Sequence, residues 1–127
     1  ETSSATITAD SQFSTESGFK DALIGIYIGM TKPELYSRDM TYNLVDILSR
    51  QYEPLLASAL YSQVQQYNYR GVLSTSQVDN LWIKTYNTIA NVNSVLDVID
   101  EKKALLGTIN YAVIKGELLG LRAFLKL

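Results

Sequence analysis

Residues 74–100, S-T-S-Q-V-D-N-L-W-I-K-T-Y-N-T-I-A-N-V-N-S-V-L-D-V-I-D, decide the fold. Val78, Leu81, Trp82, Tyr86, Ile89, Val92, Leu96 and Ile99 recur at steps of three and four, which places them on one face of an α-helix. Ser74 as N-cap with Gln77 three positions on reads as a capping box, and Leu73 with Val78 as a hydrophobic staple. No Pro or Gly interrupts the run, so the helix spans roughly 36 Å at 1.5 Å per residue. Trp82 and Tyr86, one turn apart, are expected to form an aromatic patch facing the core. Asn87, Asn91 and Asn93 follow. Asn is a mediocre helix former, so each must serve a partner or face water, and solvent is the expectation for Asn87 and Asn91.

Working outward from this helix, the chain reads as all-α. Residues 1–13 are rich in Ser and Thr, lack periodicity and read as an extended leader. Ser14 is the expected N-cap of a helix in which Glu16 complements the positive end of the dipole. Phe19, Ala22, Leu23, Ile26, Tyr27 and Met30 mark its apolar face, and Pro33 ends it. A second helix is expected from Ser37 to Tyr52, with Tyr36, Met40, Leu44, Ile47 and Leu48 on one face, until Pro54 bars continuation. Leu56, Ala59, Leu60, Val64 and Tyr67 suit a short helix, followed by a loop through Arg70 and Gly71.

Beyond Asp100, Gly107 is the expected C′ residue, and a last helix begins near Thr108 or Asn110. Tyr111, Ile114, Leu118, Leu121 and Leu125 form its stripe. The pairs Gly25/Gly29 and Gly116/Gly120 are expected to let neighbouring helices approach closely. Lys115, Glu117 and Arg122 argue against a membrane span, and no apolar run is long enough for one. The last residues, Leu125-Lys-Leu127, stop in mid-stripe without a cap. The expectation is a truncated N-terminal piece of a longer domain, with Leu121, Phe124, Leu125 and Leu127 lacking their cover.

Composition narrows the chemistry. The chain has 127 residues, a net charge of -2, no His and no Cys. Disulfides and thiolate metal sites are thereby excluded, and the commonest general base is missing. No basic face points to nucleic acid. Asp97, Asp100 and Glu101 lack the spacing and the Gly of a calcium loop and read as a solvated helix end. Glu117 and Arg122 point to different sides of their helix and are expected to hold structure. No cofactor, metal site or catalytic residue is expected. Nine Tyr beside few charges are suited to interfaces. Tyr61, Tyr67 and Tyr69 sit in the least regular segment and are the local candidates for a ligand or partner surface.

Four motifs in order resemble the SusD/RagB family. Phe13 through Tyr27, with Ala-Leu-x-Gly-x-Tyr at Ala22 to Tyr27, is similar to its leader and first helix. Tyr36-Ser-Arg-Asp-Met-Thr-Tyr-Asn-Leu-Val-Asp-Ile-Leu-Ser-Arg-Gln-Tyr52 resembles its first internal signature. Leu81-Trp-Ile-Lys-Thr-Tyr-Asn-Thr-Ile-Ala-Asn-Val-Asn93 resembles its W-x3-Y-x2-I-x2-N helix, and Ile114-Lys-Gly-Glu-Leu-Leu-Gly-Leu-Arg-Ala-Phe-Leu125 its G-E-x-x-x-L-R-A-F helix. Ser37 stands where that family often has Gly, and Lys126 departs from the aromatic-rich continuation.

The resemblance implies tetratricopeptide-like antiparallel helix pairs. It implies a lipoprotein on the outer face of the outer membrane of Bacteroidetes, held by a lipid on a Cys ahead of Glu1. Such proteins capture oligosaccharides for a SusC-type TonB-dependent transporter and do no chemistry. The present stretch then corresponds to the N-terminal part of the fold, mainly scaffold and partner contact, with the sugar site in later loops. The alternative is a tetratricopeptide-like scaffold that binds another protein, although no 34-residue self-similarity is visible between the helices.

Overall fold

The computed structural model describes residues 9–51 and 59–127, and every regular element among them is a helix. In order they are α1 (Ala9–Gln12), α2 (Glu16–Met30), α3 (Asn43–Leu48), α4 (Ala59–Gln65), α5 (Val72–Ile99) and α6 (Lys103–Leu125). The fold is all-α. The chain divides into two compact units, one containing the residues up to Tyr27 together with Ile89–Leu127, the other Ile28–Thr88. The N-terminal leader of the sequence reading lies largely outside the described residues. Residues 9–12 of it form a helical turn instead of an extended segment.

The first unit is a three-helix arrangement. Asn93 on α5 pairs with Arg122, and Asp100 with Tyr111 and Lys115, so α5 and α6 run antiparallel. Glu16 pairs with Asn110 and Tyr27 with Glu117, so α2 and α6 run parallel. Between them Phe19, Leu23 and Ile26 meet Val92, Val95, Ile99, Leu106, Ile114 and Leu118. Phe13 closes one end, its ring 4.9 Å from that of Phe19. The start of α2 is capped by Thr15, whose Oγ1 accepts from the Gly18 amide at 3.2 Å, whereas Ser14 Oγ turns back to donate to the Ser11 carbonyl. The helix therefore starts where expected, with its cap one residue later.

α6 is broken at Gly107, where φ is 71° and ψ is 163°. That conformation is open only to Gly. The short turn 103–106 and the helix from 108 onward are thus separate pieces, and the last helix begins where the sequence places it. Gly25, Gly29, Gly116 and Gly120 behave differently from expectation: an added Cβ at any of them would meet nothing within 4 Å. These glycines face open space and do not mediate a close helix contact. Leu125 is likewise buried, against the expectation that it lacks cover, while Leu127 is fully exposed.

In the second unit α3 and α4 pack through Leu44 and Ile47 against Tyr61 and Val64, with Leu48 and Leu81 at the margin. The long second helix expected over 37–52 is reduced to Asn43–Leu48. The cause is a buried carboxylate. Asp39, 7% exposed, accepts from Arg38 through both Nε (3.1 Å) and a terminal nitrogen (3.0 Å), from Asn43 Nδ2 (3.0 Å) and from the Tyr61 hydroxyl (2.9 Å). Around it the backbone folds into turns, with the Asp39 amide donating to Pro33 and the Met40 amide to Leu35. Side-chain bonds of this kind compete directly with the helical ladder. Burial raises the pKa of Asp39, but the hydrogen bonds it accepts from Arg38, Asn43 and Tyr61 outweigh that and hold it below the usual carboxylate range. The same site pushes Tyr61 up to about 12, through burial first and then its bond to the Asp39 carboxylate.

α5 starts two residues ahead of the predicted Ser74 cap. Its N-terminal amides are taken up by another element: Gln63 of α4 presents Oε1 to the amides of Leu73 (2.8 Å) and Ser74 (3.3 Å). Ser74 itself is buried at 1% exposure, and its hydroxyl has no hydrogen-bond partner among the described residues. Gly71 makes the arrangement possible, since a Cβ there would overlap the Gln63 carboxamide.

Candidate functional site

The three tyrosines singled out from sequence separate into two environments. Tyr61 lies in the core at 8% exposure with its hydroxyl on Asp39, so it presents no ring to a ligand. Tyr67 and Tyr69 reach the surface with ring centroids 6.1 Å apart, Tyr69 being the more open of the two. The Tyr67 hydroxyl donates to the Leu48 carbonyl at the end of α3 (2.8 Å) and accepts from Arg50 Nε (3.1 Å). The Arg50 guanidinium also lies 5.0 Å from the Tyr67 ring centre.

Both residues of this clasp have positive φ, 57° at Arg50 and 54° at Tyr67. Each sits just past a helix, closing it as a glycine ordinarily does, with Gln51 N bonding back to Asp46 O and Asn68 N to Gln63 O. A non-glycine residue in that region is strained by roughly 1 kcal/mol or more. The two side chains offset this by tying the ends of α3 and α4 together, a cation–aromatic contact worth about 0.5–1 kcal/mol in the open plus hydrogen bonds. Arg70, Val72, Thr75, Ser76, Asp79 and Asn80 line an open groove of about 460 Å³, and Thr75 Oγ1 donates to the Tyr69 carbonyl at 3.4 Å.

Trp82 and Tyr86 are exposed, contrary to their assignment to the core. They are 57% and 56% accessible, and their rings stack at 5.3 Å with 9° between planes. Ile83 and Val78 are exposed on the same half of the helix. The buried positions of α5 are Ser74, Thr88, Ile89, Val92, Val95 and Ile99, with Leu81 half-buried, so Ile89, Val92 and Ile99 of the expected face lie in the core while its N-terminal aromatics do not. Trp82 is one residue past Leu81, about 100° round the helix. Polar residues mask the true line: Ser74 is buried, and Thr88 satisfies its hydroxyl on the Lys84 carbonyl at 2.8 Å. An aromatic pair was therefore visible in the sequence, but its exposure was not. Tyr27 and Tyr36, also placed on apolar stripes, are 40% and 58% exposed.

The remaining candidates hold structure. Glu117 accepts from the Tyr27 hydroxyl at 2.7 Å, which with partial burial raises the pKa of that tyrosine. Arg122 donates to Asn93 Oδ1 at 3.1 Å. Asn87 and Asn91 are exposed. Asp100 accepts from Lys115 and Tyr111, and those bonds hold its carboxyl below the usual range. Lys103 and Lys115 flank the Tyr111 ring at 5.0 and 5.3 Å.

Among the described residues one helix, Lys103–Leu125, is by length and composition apolar enough to cross a membrane. The expectation that no stretch qualifies is corrected to that extent. The same helix is broken at Gly107 and contributes Ile114, Leu118 and Leu125 to buried positions.

No family model, no curated protein and no solved structure matches the chain.

Proposed function

We propose that this chain is the helical scaffold of a cell-surface glycan-capture lipoprotein of the SusD/RagB type, which hands oligosaccharides to a SusC-type TonB-dependent transporter and carries out no reaction itself. The reading is supported by the four motifs standing in family order along the chain. The observation that bears most on the role of this stretch is the exposed Trp82–Tyr86 stack with Ile83 and Val78 beside it. Large aromatic side chains with apolar neighbours are the anchors that protein interfaces favour. This face is assigned to partner contact.

The test has two arms. Calorimetry of the chain with starch, xylan and host-type oligosaccharides is expected to show no binding. The SusC-type transporter encoded next to its gene is expected to bind it, and Trp82→Ala/Tyr86→Ala to weaken that binding at least tenfold. Sub-millimolar sugar binding lost in Tyr67→Ala or Tyr69→Ala would place the sugar site in this stretch. A gene with no such transporter beside it would overturn the class. A tetratricopeptide-like protein-binding scaffold is the second reading, favoured by the same exposed aromatic pair, and would then be preferred.

A further inference from the structure

We draw no further inference here: the strongest candidate, the uncharged outer face of α6 running through Ile109, Val113, Gly116, Leu119, Gly120 and Phe124, lies exposed along the helix, and nothing in the structure shows what covers it.

Discussion

Replacing Gln63 by Ala removes the cap of the longest helix without touching that helix. Gln63 Oε1 serves two amides at the start of a 28-residue element, one bond at 2.8 Å and one at 3.3 Å. A side-chain N-cap contributes about 0.5–2 kcal/mol, and a part-buried donor left unsatisfied costs about 1–3 kcal/mol. The longer bond counts for less, so the expected loss for Gln63→Ala is about 1.5 kcal/mol. Ser74→Ala supplies the contrast. As an N-cap, Ser74 would contribute about 1 kcal/mol; as a buried hydroxyl without a partner it contributes nothing, and its removal is expected to be neutral or slightly stabilising. Gly71→Ala is a third probe, because its new methyl would push the Gln63 carboxamide off the amides. Its cost should shrink when Gln63 is already Ala, the signature of one shared interaction. Urea unfolding followed by circular dichroism measures the three single variants and the Gly71→Ala/Gln63→Ala double variant against the wild type. A destabilising Ser74→Ala beside a neutral Gln63→Ala would refute the cap assignment outright, and strict additivity of Gly71→Ala with Gln63→Ala would refute the role given to Gly71.

Other outcomes follow from individual sites. Trp82 is the single Trp of the chain, so its fluorescence should peak near that of free indole and be readily quenched by acrylamide, and Trp82→Ala should cost under about 1 kcal/mol where a buried Trp would cost about 3–5; a blue-shifted, protected emission would contradict the exposure. Leu118→Ala, at a fully buried position, should cost about 2–5 kcal/mol in the same urea assay, and a loss below about 1 would mean the first unit does not close around α6. Because the Asp39 pKa is lowered, its contribution is present above its ordinary value and lost as pH falls through the folded one; the stability gap between the wild type and Asp39→Asn should therefore narrow on acidification, and a gap that widens would reverse the sign. Tyr61, raised to about 12, stabilises below pH 10 and loses that contribution as pH climbs toward 12, which Tyr61→Phe should flatten in alkaline unfolding.

Much of the fold was legible because periodicity reports burial wherever the buried residues are apolar. The last helix is the clearest case: Ile114, Leu118 and Leu125 were read as its stripe and are buried, and Gly107 marked its beginning. Periodicity failed where polar residues occupy buried positions. Along α5 Ile89, Val92 and Ile99 of the stripe are buried, but the core also takes in Ser74 and Thr88, while Val78, Trp82 and Tyr86 of the stripe are exposed. It failed again at 37–42, where one carboxylate gathers donors from Arg38, Asn43 and Tyr61, a convergence that requires knowing which residues of distant segments meet. Of the candidate surface, Tyr67 and Tyr69 are exposed. The burial of Tyr61 depends on that same distant carboxylate, and the partnership of Tyr67 with Arg50 joins two helix ends 17 positions apart.

The break at Gly107 also governs how the chain tolerates changes of length. Within a continuous helix each inserted residue turns everything beyond it by about 100°, so an insertion near Gly116 would carry Leu118 and Leu125 out of the core. Upstream of Gly107 the consequence is different. No helical phase passes through that residue, so an extra residue between Asp100 and Gly107 changes the reach of the connection while the face presented after Thr108 stays the same. The glycine thereby separates the spacing of the two long helices from the angular register of the second, and the two properties are free to vary independently.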